Sequence, residues 1–173
     1  GIRSIADRVN IKTASLYHHF ASKDEIFQEI LIIGFNATFR ATQTAVERLP
    51  EGASPRQRIE GAIAGHLKGI HSNITYTSAN IRFRGQTPSE IDRVMRPLRQ
   101  TYRRYWQELF EAARHQRCLK DELETSMVRT LVIGMMNQTV TWFDPSKGSL
   151  DKLVRSTLIS FSGDWREESP GKA

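Results

Sequence analysis

Apolar side chains recur along this chain at spacings of three and four, and alternating runs rich in Val, Ile, Thr and Tyr are missing, so the pattern predicts an all-α protein. Helix starts are legible where Ser, Thr or Asp stands three residues before Glu or Gln, because the two side chains then satisfy each other's orphan backbone donors. Ser22 with Glu25, Ser54 with Gln57, Thr87 with Glu90 and Asp121 with Glu124 fit this box, with Pro55 and Pro88 at the first helical position. The spacing predicts helices over residues 23–48, 55–72, 88–116 and 122–143, a short one around 78–83, and a last one opening after Ser149 and running to about Phe161. Pro97 should kink the third of these or delay its start. Pro and Gly mark 49–53 and 144–148 as loops.

The helix over 23–48 carries Ile26, Ile30, Ile33, Ala37, Ala41 and Ala45 as an apolar stripe, which suits a connector between a small N-terminal unit and a larger bundle. We therefore divide the chain into residues 1–25, 26–166 and a polar, flexible tail at 167–173. Residues 131–136 are apolar on all sides, and such a helix must be covered on two faces. One cover is the protomer's own core. The other is a second copy, so Val128, Met135, Thr139, Leu153, Leu158 and Phe161 become candidate homodimer contacts, the alternative being a fully internal helix in a monomer.

Composition narrows the class. Of 173 residues, 39% are hydrophobic and 25% charged, the balance of an ordinary globular chain. The longest apolar runs, 30–35 and 131–136, fall far short of the ~18 residues a membrane span needs, so no membrane partner is expected. A lone Cys118 makes no internal disulfide, and the start shows no signal-peptide pattern, which makes cytoplasm the expected compartment. The chain also starts without Met, which suggests that residues precede Gly1.

The formal charge of +6 points to an anionic partner, and residues 81–120 alone account for it. Nine of the ten cations there are Arg, whose planar fork matches phosphate and carboxylate. Aromatic and thioether side chains share the segment, and Asn137 and Thr141 add polar groups on a neighbouring helix. Phe83, Arg84, Met95, Arg99, Tyr102, Arg103, Tyr105, Trp106, Asn137 and Thr141 are thus candidates to line a pocket for an anionic, partly apolar small molecule. The plainer alternatives are a solvated face of Arg stems and aromatics that simply form core.

No metal site is expected, because the five His residues have no suitable pairing with a third ligand. Gly-rich phosphate loops, Gly-x-Ser-x-Gly and paired-carboxylate signatures are missing, so no cofactor and no catalytic residues are assigned; a small helical enzyme remains the alternative class.

The first 25 residues carry the sharpest signal. Ile2, Ile5, Ala6 and Val9 give one short amphipathic helix, Asn10 suits a tight turn that needs left-handed backbone, and Leu16, Tyr17 and Phe20 resume helical spacing. Such a helix-turn-helix would present Lys12, Thr13, Ala14, Ser15, Tyr17, His18, His19 and Lys23 to double-stranded DNA. Without its flanks, a Tyr-His-His-Phe run on a helix is more often a partly buried aromatic face than a DNA contact.

The flanks decide. Ile5-Ala6, Ile11 and the run from Leu16-Tyr17-His18-His19-Phe20 through Ser22-Lys23 to Ile26 resemble the DNA-binding signature of TetR-family bacterial regulators. Thr141-Trp142-Phe143-Asp144-Pro145, followed by Gly148, resembles a C-terminal segment common in that family. The resemblance implies a ligand-responsive repressor that binds a palindromic operator as a dimer and is released by an effector, the acyl-coenzyme A-responsive branch of lipid and steroid degradation being similar; an activator is the alternative. It also implies that Thr13, Ala14 and Ser15 face base edges, that Tyr17, His19 and Lys23 contact phosphate, and that Leu16 and Phe20 are core. Asn10 stands where the family favours Gly and Lys12 where it favours a Ser or Thr cap, and the family's first DNA-domain helix would precede Gly1.

Overall fold

A computed structural model describes residues 1–72 and 74–161. The described elements are eight helices: α1 (Ile2–Arg8), α2 (Thr13–His19), α3 (Lys23–Glu47), α4 (Pro55–Ser72), α5 (Ile74–Arg82), α6 (Ser89–His115), α7 (Thr125–Trp142) and α8 (Leu150–Phe161). The expected tail at 167–173 lies outside the described residues. No helix among them is long and apolar enough to cross a membrane.

Two of the four capping boxes form. The Ser22 hydroxyl accepts from Glu25 N–H at 3.1 Å, while the Glu25 carboxylate reaches back to Ala21 N–H at 2.6 Å. Ser54 and Gln57 exchange both bonds, at 2.8 and 3.2 Å. The other two boxes do not form. α6 begins one residue after Pro88, which is its N-cap, and runs on through Pro97. α7 begins only at Thr125 with Glu124 at its cap, because residues 116–124 are taken up by a turn in which Arg117 adopts φ +55° and the Arg114 guanidinium binds the Asp121 carbonyl at 2.9 Å. α5 is longer than the helix expected near 78–83.

The most buried positions of α3 are Leu31, Gly34, Thr38, Thr42 and Val46; of the expected stripe, Ile26 packs on the N-terminal cluster and Ala41 and Ala45 on α4, while Ile33 is 45% exposed. Threonines can be buried here because each hydroxyl donates to the carbonyl one turn back, Thr38 to Gly34 at 3.1 Å and Thr42 to Thr38 at 2.9 Å. The polar atom is satisfied within the helix, and the methyl group is left to pack. Small residues then let neighbours approach: a Cβ on Gly34 would lie 2.6 Å from the Tyr76 carbonyl oxygen of α5.

The main core joins α4, α6, α7 and α8 around Trp106, Phe110, Ile59, Ile63, Leu67 and Met136. A separate small cluster of Ile2, Ala6 and Leu16, packed by Ile5, Phe20 and Ile26, holds α1 and α2 on the first turn of α3. The division expected at 25/26 thus falls inside one continuous helix.

Candidate functional sites: a recognition helix and an arginine-lined cavity

α1 and α2 are joined by a turn whose Asn10 has φ +54°, the left-handed conformation that Asn tolerates better than most residues. Ile11 N–H closes the turn on the Ala6 carbonyl at 3.1 Å. Leu16 points inward, so helical spacing turns the opposite face of α2 outward: Ala14, Ser15, Tyr17, His18 and His19 are exposed, Thr13 is half-buried. Tyr17 is 53% exposed, and the His18 and His19 rings meet edge to face at 5.3 Å. Lys12 is the N-cap of α2 and Lys23 the first residue of α3, both exposed, so all eight sequence candidates share the α2 surface and its ends. The two lysines flank helix starts whose free N–H groups attract anions as well.

Between α3, α4, α5, α6 and α7 lies a cavity of about 630 Å³. Phe35, Ile70, Ile81 and Ile133 give it apolar walls, and Arg84, Arg99, Arg103 and Arg129 bring four guanidinium groups to it. Arg99 is paired with Asp92 at 2.6 Å, and Asp92 also holds Arg96 at 3.1 Å; these two bonds keep its carboxyl below the ordinary range. Arg129 donates to the neutral Gln107 at 2.8 Å. Burial, and then the neighbouring Arg103 charge, depress the Arg129 pKa. Among the described residues Arg84 and Arg103 make no ion pair or hydrogen bond.

A polar relay crosses the same bundle. His66 of α4 lies 2.6 Å from the Tyr102 hydroxyl through Nδ1 and 3.1 Å from Asn137 Oδ1 through Nε2, and Tyr102 lies 3.0 Å from Thr42 of α3. Burial lowers the His66 pKa to about 4, against the opposing Asn137 bond, so the ring is neutral near pH 7. Burial likewise raises Tyr102.

Of the ten pocket candidates, Arg84, Arg99, Tyr102, Arg103 and Asn137 line the cavity. The other five do not. Met95 and Trp106 are fully buried in core clusters, Phe83 packs edge to face on Phe27 at 5.3 Å, Tyr105 packs on Phe39, and Thr141 is exposed at the end of α7. Four of these lie on other faces of α6 and α7 and Phe83 in the turn after α5, which composition alone does not distinguish. Sequence reasoning missed His66, Arg129, Thr38 and Asn80, since nothing local marks a lone His or Arg as facing a cavity. Of the six dimer candidates, Val128, Thr139, Leu153 and Phe161 are buried in the protomer's own core and Leu158 is half-buried against it; Met135 is 40% exposed.

Comparison with known proteins agrees with this two-part layout. Residues 1–30 match the profile of bacterial regulatory proteins of the tetR family, and residues 52–153 that of the tetracyclin repressor-like C-terminal domain. The chain is 23% identical over 148 residues to the HTH-type transcriptional repressor KstR2 of Mycobacterium tuberculosis, covering 83% of this chain and 71% of that protein. The structure of the ketosteroid transcriptional regulator KstR2 superposes with a TM-score of 0.78 at 21% identity, over 96% of this chain and 85% of that one. That of AibR in complex with isovaleryl coenzyme A and operator DNA gives 0.79 at 16% identity, over 92% and 85%. PfmR of Thermus thermophilus gives 0.79 at 20%, over 98% and 90%. With an exposed recognition helix at one end, a cavity-bearing helical bundle at the other and both profiles matched, the chain belongs to the TetR family of transcriptional regulators, a family of DNA-binding proteins rather than enzymes.

Proposed function

We propose that the protein is a homodimeric repressor whose grip on a near-palindromic operator is released when an anionic, partly apolar small molecule, an acyl-coenzyme A thioester, enters the cavity. The observation that carries this reading is the convergence of four arginines on one apolar-walled space, with Asp92 their sole acidic ion-pair partner among the described residues. Unpaired guanidinium groups of like charge repel one another, and an anion relieves that repulsion. The isovaleryl coenzyme A held by the fold relative AibR agrees with this chemistry.

α3 links the two sites. Its first turn supports the helix-turn-helix through Ile26, and further along it meets α5, a cavity wall, where Gly34 abuts Tyr76 and the Asn80 amide donates to the Leu31 carbonyl at 2.7 Å. An effector that displaces α5 therefore displaces α3 and with it the recognition helix. A coupling of ~1–3 kcal/mol weakens operator binding roughly 5- to 150-fold.

The dimer face of this reading is the exposed stripe Met127, Leu131, Met135 and Trp142 on α7, with Ile159 on α8. It replaces the buried candidates Val128, Thr139, Leu153 and Phe161.

Titration calorimetry with free coenzyme A, a short acyl-coenzyme A, a long or polycyclic one and the corresponding free acid tests the effector class. Binding should need both ends, so that the long thioester exceeds free coenzyme A and the free acid. A free acid that binds as tightly as its thioester removes coenzyme A from the reading.

A further inference from the structure

The arginines do not account for the inner polar end of the cavity. There the relay fixes one side chain in an unusual state of readiness. His66 is neutral and carries one ring proton. Asn137 Oδ1, 3.1 Å from Nε2, can only accept, which places that proton on Nε2; Nδ1 then accepts from the Tyr102 hydroxyl at 2.6 Å. With the Tyr102 proton on His66, the Thr42 hydroxyl, 3.0 Å away, is the donor to the Tyr102 oxygen and shares its one proton between that oxygen and the Thr38 carbonyl. The oxygen of the Asn137 amide is thus committed to His66, and its nitrogen, with two N–H donors, has no partner among the described residues while Asn137 lines the cavity.

We propose that Asn137 is a specificity-determining residue whose amide N–H donates to an uncharged carbonyl oxygen of the effector. This rests on the effector-cavity reading above. Asn137 follows Arg129 by two steps of four on one face of α7, with Ile133 between, so the carbonyl lies on the order of 12 Å along the helix from the anion-binding end. A charged group is unsuited to this end, because His66 is neutral and buried. Either the carbonyl of a thioester or a ketone within an oxygenated tail meets the requirement. Asn137 is half-buried, so an effector that covers its amide without offering this oxygen takes the N–H out of water and leaves it unpaired, and that asymmetry is what discriminates. His66, Tyr102 and Thr42 are positioning residues.

Calorimetry on the full chain with two matched pairs separates the sources: dodecanoyl-coenzyme A against S-dodecyl-coenzyme A, which lacks the carbonyl, and dodecanoate bearing a mid-chain ketone against plain dodecanoate. We expect the carbonyl member of at least one pair to bind about tenfold tighter, and Asn137→Leu to abolish that preference. A preference in the first pair identifies the thioester. One confined to the acids identifies a ketone and leaves the proposal standing while coenzyme A is removed from the reading. Equal binding within both pairs, or a preference that survives in N137L, overturns the proposal and leaves the cavity reading intact. Binding by none of the four overturns both. If N137L does not fold, the infrared stretch of a carbon-13-labelled carbonyl bound to the unaltered protein decides: a shift to lower frequency than in hydrocarbon solvent is expected, and no shift overturns the assignment.

Discussion

His66 Nδ1 and the Tyr102 hydroxyl oxygen lie 2.6 Å apart and join α4 to α6 in the middle of the bundle, with the imidazole 2% exposed. Burial holds the His66 pKa at about 4, below its ordinary 6.5, so the unfolded chain binds the proton more readily. The associated stability is complete above pH 6.5 and is lost as the pH falls toward 4, by on the order of 3 kcal/mol. His71, also lowered by burial, acts in the same direction. Urea midpoints at pH 7 and pH 5 should therefore differ, the protein being weaker at pH 5, and the difference should shrink in His66→Gln.

The same contact predicts the result of Tyr102→Phe. Losing the hydroxyl removes the partner of the buried His66 Nδ1, a cost of ~1–3 kcal/mol. Chemical denaturation should show a lower midpoint with an unchanged slope.

At the α3–α4 crossing a Cβ on Gly65 would sit 2.7 Å from both the Ala41 carbonyl oxygen and the Ala45 Cβ. Gly65→Ala must push two helices apart and should cost ~1–3 kcal/mol. Gly134, in α7, has nothing within 4 Å of such a Cβ, and Gly134→Ala should be neutral or stabilising by up to ~1 kcal/mol. Thermal melts of the two variants side by side check the contrast.

Tyr17→Phe and Lys23→Ala should each weaken binding to operator and to unrelated DNA alike, because phosphate contacts position the helix without reading sequence. Fluorescence anisotropy on both DNAs should show the ratio of affinities unchanged. A change confined to operator DNA would assign these residues to base recognition.

Leu131→Glu places a charge on a side chain that is 64% exposed in the protomer, so the fold should survive while the dimer dissociates. Sedimentation should find a folded monomer. Leu153→Glu instead buries a charge in the core and should unfold the chain.

What could be read from the sequence was local, and what could not was long-range. Ser54–Gln57 and the left-handed Asn10 depend on residues within a few positions, and both appear as expected. The α3 stripe was legible only in part: Ile26, Ala41 and Ala45 pack, but the most buried positions include Thr38, Thr42 and Gly34, which look polar or weak although intrahelical hydrogen bonds and close packing suit them to burial. The arginine segment pointed to the right region, and three of its arginines, Arg84, Arg99 and Arg103, reach the cavity together with Tyr102. Arg129 and the His66–Asn137 contact, separated by 71 positions, become visible only once the helices are packed.

An anion held by the arginines should release DNA. The most direct test is the anisotropy of labelled DNA from upstream of the protein's own gene, titrated with the full-length protein with and without a saturating long-chain acyl-coenzyme A, for the unaltered protein and for Arg103→Ala/Arg129→Ala. Without effector both proteins should bind equally. With it, binding by the unaltered protein should weaken roughly 5- to 150-fold and that of the double variant should hardly change. An undiminished response in the double variant, or none in the unaltered protein, would mean that these arginines do not couple effector binding to DNA release.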